Sequence, residues 1–409
     1  MKQRLLVISI LAALASTSVL AVNKVSDEVS LNIAIDAANA DSRINKIVFA
    51  KNARISLSSP VIYTGSQNLV LLGNGAIIDG ANAGKFTLNE HLLASTEDGT
   101  LIFNSAADLT IHQLSIVNSA TKGLVINIPL DTQGEDIQVT LDKVEISGSA
   151  LHGLHIDDNA DEFDGGELGS SIGLDIHIEH SSFIRNGIGA IDFDGIRIDE
   201  RGLGDIHLFI IDSHIDGNGG DGMELDEAGA GNVEATVKHV TFNDNGFYNE
   251  ADLEDGFDID ESGEGNIEVS LFKVLANRNK DEGMDFDEEG AGDVKVKMRH
   301  ITVIETTGEG IKIDEHGQGN VEAHLSRVMV MDGGDDGIQI TEQGQGRIES
   351  GLKKVTATDN KKYGVILEQW AIKGEDVSTE QAGELKIKKL TLSGNGKGDE
   401  LGLHNVIGD

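Results

Sequence analysis

One pattern returns through the middle of this chain and limits what it can become. In the copy Asp255-Gly256-Phe257-Asp258-Ile259-Asp260-Glu261-Ser262-Gly263-Glu264-Gly265-Asn266, an acid and a glycine lead into alternating apolar and acidic positions and then a turn with two glycines. The leading glycine recurs at Gly195, Gly222, Gly256, Gly283, Gly310 and Gly337, at steps of 27 residues apart from the 34 between Gly222 and Gly256. A seven-residue insertion at 247–253 accounts for the longer step. Gly364 continues the period, and Gly123 and Gly153 begin weaker copies upstream. A unit of this length cannot bury an apolar face alone, so its recurrence at fixed spacing means stacked units sharing one continuous core.

The unit reads as strands. After Gly222, Met223 and Leu225 fall on one side of an extended segment and Glu224 and Asp226 on the other. The turn at 227–231 carries Gly229 and Gly231, expected there to supply positive φ. Val233, Ala235 and Val237 then face inward, the parity slips by one, and Val240 and Phe242 face inward again, which marks a corner between two further strands. Ile267, Val269, Leu271, Val274 and Ala276 repeat the scheme, as do Val294, Val296, Met298, Ile301 and Val303. Three strands per repeat and no 3.6-residue period predict an all-β fold, a single-stranded right-handed parallel β-helix with 27-residue coils. Both prolines, Pro60 and Pro129, lie outside the regular coils, as central strands demand. Residues 26–43 read as a helix capped by Ser26, with Val29, Ile33 and Ala37 beside Leu31, Ile35 and Ala38 as its apolar side. Such a helix would cap the open N-terminal end of the stack.

The domain scheme that follows is a leader over 1–21 and one β-helix domain over 22–409. Within the domain come an N-terminal cap (26–50), irregular coils (51–150), regular coils (151–368) and a final coil and cap (369–409). The leader is read from Met1-Lys2-Gln3-Arg4, an apolar run from Leu5 to Leu14, and the small residues before a cleavage site near Ala21. It predicts a secreted or periplasmic protein, and no charge-free stretch is long enough for a membrane span. Without cysteine, neither disulfides nor thiolate metal sites are available. A formal net charge of −38 excludes nucleic acid as an expected partner and favours divalent cations. Repeats of this self-contained kind are expected to make a monomer.

The segments Ala34-Ile35-Asp36-Ala37-Ala38-Asn39-Ala40, Lys46-Ile47-Val48-Phe49-Ala50 and Leu72-Gly73-Asn74-Gly75-Ala76-Ile77-Ile78-Asp79-Gly80 resemble the opening of pectate-lyase-like right-handed parallel β-helices. The coils after them extend the resemblance over most of the chain. That superfamily hosts lyases, hydrolases, epimerases and adhesins, so the resemblance implies the fold and leaves the function open.

Stacking the first strands of successive repeats produces two outward columns. One is His155, Arg197, Glu224, Asp258, Asp285, Lys312 and Gln339; the other is Asp157, Asp199, Asp226, Asp260, Asp287, Asp314 and Thr341. Six carboxylates, Glu224, Asp226, Asp258, Asp260, Asp285 and Asp287, thus form an expected metal-binding patch with Arg197 one coil below and Lys312 one coil above. Like charges one coil apart, about 4.8 Å, repel by roughly 1 kcal/mol per pair in water and several times more near protein. Shared protons or hard cations relieve that repulsion, and Ca²⁺ with its oxygen ligands is the cation expected for an exported protein. Glu227, Glu261, Glu288 and Glu315 form a further ladder at the turn that could add a second row of sites. The resemblance to pectate lyases, where strand-face carboxylates hold calcium that bridges to a uronate, implies Glu224, Asp258, Asp260 and Asp285 as ligands. It likewise implies Arg197 or Lys312 as the base for β-elimination. Phe247, Tyr248 and Trp370, in or beside insertions, are candidates for stacking on sugar rings. Asn243 and Asn245 with Asn277 and Asn279 read as amide ladders inside a corner, and His152 and His155 as surface residues.

Two functional readings follow. In the first, an exported calcium-binding β-helix binds an acidic polysaccharide and cleaves it as a lyase, a glycoside hydrolase being less favoured. In the second, a non-catalytic β-helix is rigidified by calcium and serves at a cell surface in adhesion or matrix contact.

Overall fold

The computed structural model describes residues 24–96, 98–158, 169–251 and 253–408. The expected leader (1–21) lies outside the described residues, as do residues 159–168 within the 42-residue step from Gly153 to Gly195.

The helix spans Glu28–Ala40 and is capped by Asp27, whose side chain accepts from the Ser30 N–H while the Ser30 hydroxyl accepts from the Asp27 N–H. Asp27, one residue past the expected Ser26, is the better cap because its carboxylate faces the unpaired amides of the first turn. Leu31, Ala34, Ile35 and Ala38 are buried over the first coil, whereas Val29 and Ile33 are exposed. An i, i+3, i+4, i+7 stripe is what one helix face can present, and Val29 and Ile33 fall outside it.

Beyond the helix every regular element of the described chain is a strand, and the strands wind as a parallel β-helix with the right-handed crossover that parallel strands of one sheet take. The first strands of the coils form one sheet. Leu154–Asp157, Ile196–Glu200, Met223–Gly229, Phe257–Gly263, Asp285–Gly290, Ile311–Glu315, Ile338–Gln343 and Val365–Ile372 lie in that order, each parallel to the next. The second and third strands share a second sheet. In the upper coils they merge into single runs of 11 residues, such as Val294–Ile304 and Val321–Met331. The corner inferred from the parity slip is therefore a one-residue bend, made by non-glycine residues in the left-handed region such as His239 (φ 54°), Lys273 (55°) and His300 (60°).

Inward residues stack into a continuous core. Leu225, Ile259, Phe286, Ile313 and Ile340 are fully buried, and the Phe257 ring stacks on Phe242 at 5.3 Å. At one corner Asn186, Asn218, Asn245 and Asn279 form a buried ladder in which each side-chain amide donates to the oxygen of the next. Asn243 instead donates to Asp216.

The turn glycines serve a purpose other than the one expected. Gly229 and Gly231 do not have positive φ. A Cβ on Gly231 would lie 1.6 Å from the Gly204 carbonyl oxygen, and one on Gly229 would lie 2.0 Å from that of Gly202. Consecutive turns pack backbone on backbone, which excludes any side chain.

Candidate metal centre

Parallel pairing places residues one repeat apart directly beside each other. Arg197 pairs with Glu224, Glu224 with Asp258, and Asp258 with Asp285; Asp199, Asp226, Asp260, Asp287 and Asp314 run alongside in the same register. The insertion at 247–253 leaves this register intact because it is spent before the strand begins.

The lower end of the face is a closed ion-pair network. Arg197, almost fully buried, donates to Asp199 at 2.6 Å and to Asp226 at 3.0 Å, and pairs with Glu224. Arg201, also buried, grips both oxygens of Asp226. Burial alone would raise the Asp199 pKa, but Arg197 and His155 hold it well below the usual carboxylate range. At the upper end the Lys312 Nζ lies 2.6 Å from Asp285 and 2.9 Å from Asp287. Burial opposes its charge, yet those two carboxylates raise its pKa. Both candidate bases are thus held in the protonated form, opposite to what proton abstraction needs.

Between the two ends the acids lack such partners. No hydrogen bond or ion pair of the described residues engages the carboxylates of Asp258 or Asp260, and a buried oxygen on each of Asp285 and Asp287 has no hydrogen-bond partner. The acids that open each repeat close in from the side. Asp194, Asp221 and Asp255 each accept from the backbone N–H of the corresponding residue in the next coil, Asp221, Asp255 and Glu282. Among the groupings of described residues that bring one oxygen per residue within 4.8 Å of the others are Asp194, Asp221 and Glu224; Glu224, Asp258 and Asp260; and Asp255, Asp258 and Asp285. Burial, reinforced by Asp260 and Asp255, pushes the Asp258 pKa far up. Asp221 is raised to about 8 by burial and Asp194, and Glu282 to about 9 by burial and Asp285. Asp260 is solvent-exposed, yet the surrounding protein and then Asp287 raise it to about 7. A set of hard oxygen donors with orphaned atoms and proton-retaining carboxylates fits a divalent cation of the calcium type.

All six expected ligands therefore meet on one face. Asp226 faces the arginines, and Asp258, Asp260 and Asp285 face the open centre. Sequence reasoning missed Arg201, Asp194, Asp221, Asp255 and Glu282. The acid before each leading glycine is visible in the repeat, but nothing in the spacing assigns it to the metal-binding patch. The histidine pair read as surface decoration is buried: the rings of His152 and His155 stack at 4.9 Å, with His155 bridging Lys122 at 2.9 Å and Asp199 at 2.8 Å.

The second acid ladder also differs from expectation. Glu200, Glu227, Glu261, Glu288, Glu315 and Glu342 are buried inside the coil, not displayed as a second row of sites. Each gives one oxygen to the N–H of the glycine four residues on, at 3.1 Å in Glu227 and 2.8 Å in Glu288. Burial raises Glu200 to about 8, Glu227 to about 10 and Glu288 to about 9, and Glu315 and Glu342 to about 7. The column ends at Gln369, also buried.

The three aromatic candidates do not gather at this face. Tyr248 donates its hydroxyl to the Gly189 carbonyl at 3.0 Å and packs the insertion onto the coil. Phe247 beside it is exposed, and Trp370 lies three coils beyond Asp285, stacked on His404 at 3.7 Å.

No family model and no curated protein matches the chain. Solved structures of related form exist. The periplasmic alginate epimerase AlgG is 12% identical, with a TM-score of 0.44 over 90% of this chain and 74% of that one. The Azotobacter vinelandii mannuronan C-5 epimerase AlgE4 A-module is 12% identical, with a TM-score of 0.41 over 93% and 94%. PfbA, a surface adhesin of Streptococcus pneumoniae, is 11% identical, with a TM-score of 0.31 over 96% and 93%. At these scores the likeness carries no argument about activity, and the β-helix rests on this chain's own strand register.

Proposed function

We propose that the acidic face of the first-strand sheet holds calcium and, through it, an acidic polysaccharide, in a protein exported by its leader. The observation that supports this reading is the unpartnered centre of the face, Asp258 and Asp260 between the Arg197 and Lys312 ends. Asp255, Asp258, Asp285 and Glu224 would supply the protein ligands. Ca²⁺ takes six to eight oxygens, so a set of three or four protein carboxylates leaves positions for a ligand's own carboxylate. Sites repeated at coil spacing suit a polymer that carries acids at regular intervals. The metal would supply charge neutralisation; this chain's residues orient it through the backbone-anchored Asp221 and Asp255. Binding without cleavage is favoured over β-elimination, because the ion pairs of Arg197 and Lys312 supply no free base.

The test is co-sedimentation of the purified protein with polygalacturonate and with alginate, in calcium and in EDTA. Calcium-dependent association that is lost in Asp258→Asn/Asp285→Asn is the expected result. Association equal in EDTA, or unchanged in the double variant, would remove the reading, and absorbance near 235 nm appearing on incubation would restore cleavage.

A further inference from the structure

The strong acidity of the chain hides a local reversal of sign. Where the second strand bends into the third, two columns run along the molecule. In the upper coils the last residues of the second strand are Phe272, Arg299, Ser326, Lys353 and Lys388, aligned by strand pairing. The bend residues that follow them are Lys273, His300, Arg327, Lys354 and Lys389, all in the left-handed region, with φ between 55° and 73°. Neither column contains an acid over these five coils. Two positions earlier, where side chains point to the same outer face, come Lys297, His324 and Lys386, again without an acid.

The same columns lower in the molecule are built differently. There acids alternate with bases and pair with them: Asp142 lies 2.8 Å from His112, 3.0 Å from Lys143 and 3.2 Å from His180, and Asp212 lies 2.9 Å from His239. In the upper coils Lys273, Arg299, Arg327, Lys353, Lys354 and Lys389 are exposed, and no ion pair among the described residues neutralises them. Arg327 instead approaches the His300 ring at 3.4 Å. The Phe272 ring gathers cations, with Lys273 at 5.2 Å and Arg299 at 5.5 Å from its centre. His300 reports the resulting field: desolvation lowers its pKa, and Arg327, Arg299 and Lys273 lower it further.

A chain with so many carboxylates had acids available to pair here, and none stands in the strip. We propose that this strip is a second binding surface, one that takes an extended acidic polysaccharide along the axis of the helix by direct ion pairing, without a metal. The cations recur once or twice per coil, about 4.8 Å apart, which is comparable to the length of one pyranose ring along a glycan. Arg offers the planar fork that matches a carboxylate or sulfate, and Lys a point charge. The half-buried Phe272 ring adds an apolar platform on which a sugar face can rest. Because the strip and the acidic face lie on different sheets, an acidic polymer could be held directly at one and through calcium at the other.

The experiment is retention of the whole protein on immobilised heparin and on immobilised polygalacturonate in EDTA, developed with a salt gradient. EDTA silences the proposed calcium site, so failure here and failure of the calcium reading are separable. Retention at low salt despite the acidic net charge is the expected result, weakened at least about tenfold in Arg327→Glu/Lys353→Glu/Lys354→Glu. It should be unchanged in Asp258→Asn/Asp285→Asn. The substituted side chains are exposed, and an unaltered thermal melt confirms that the variant is folded; a milder Arg327→Gln/Lys354→Gln pair keeps the test open if it is not. Flow-through of the wild type in EDTA, or retention indifferent to the charge reversal, overturns the proposal. Duplex DNA competing as well as the free glycan would also overturn it, by showing attraction to any polyanion.

Discussion

Asp260 and Glu261 are neighbours in the chain and carry the same group, yet the fold treats them in opposite ways. Asp260 points outward between carboxylates that Arg197, Arg201 and Lys312 engage, and no hydrogen bond or ion pair of the described residues reaches Asp260 itself. Glu261 points inward, gives one oxygen to the Gly265 N–H at 3.0 Å, and has its other oxygen buried with no hydrogen-bond donor among the described residues. Alternation along one strand separates a column open to solvent and cations from a column sealed away from both. The inner column keeps its protons because burial opposes ionisation, and a protonated carboxyl can hydrogen-bond to the next in line. On the proposed reading, Asp260, raised to about 7, and Asp258, raised further, hold protons that a divalent cation would displace. Acid ladders in one β-helix are thus placed in two settings, packed within the coil where the parity is inward and, on the proposed reading, open to a cation where it is outward.

The largest expected effect is on pH, and the inner column contributes to it alongside the raised carboxyls of the acidic face. The inner glutamates have folded-state pKa values above the unfolded carboxylate value, so the folded state binds more protons, and stability is fully present below about pH 4.5 from this source. It is lost as pH rises through about 7 for Glu315 and Glu342 and about 9 for Glu288. Urea unfolding in EDTA should show a loss of roughly 3 kcal/mol or more between pH 5 and pH 9; a flat profile would contradict proton retention by the inner glutamates. Next in size, Glu288→Ala should destabilise by about 2–4 kcal/mol at pH 6, because the Gly292 N–H loses its acceptor and a cavity opens. Glu288→Gln retains the acceptor, as Gln369 does at the end of the column, and should gain about 1 kcal/mol at pH 9 with a shallower pH profile. The smallest effect is outside: Asp258→Asn should change stability in EDTA by less than about 1 kcal/mol, in the stabilising direction, while abolishing any gain from calcium. Equal responses to Glu288→Gln and Asp258→Asn would show that the two ladders are one system.

Much of this was legible in the repeat. The 27-residue spacing gave the stacking, and stacking brought Glu224, Asp258 and Asp285 together, because register in a parallel sheet follows from inward parity alone. The same parity already put Glu261 on the inward side after Phe257 and Ile259; composition, an acid beside a glycine-rich turn, argued for the surface and was the weaker guide. Arg201 was not legible, since its place depends on how the turn folds back over Asp226. Tyr248 and Trp370 were found as exceptions to the repeat, but where an insertion folds is decided by contacts such as the Tyr248 hydroxyl to Gly189, which no periodicity encodes. The basic strip was missed because a net charge near −38 draws attention away from where the few cations stand.

The central claim is that the outer column trades protons for calcium. Calorimetric titration of calcium at pH 7 in two buffers of different ionisation enthalpy counts the protons released per ion bound. The expected result is saturable binding with a net proton release that disappears in Asp258→Asn/Asp285→Asn. Absence of binding at millimolar calcium, or binding that releases no proton, would contradict it.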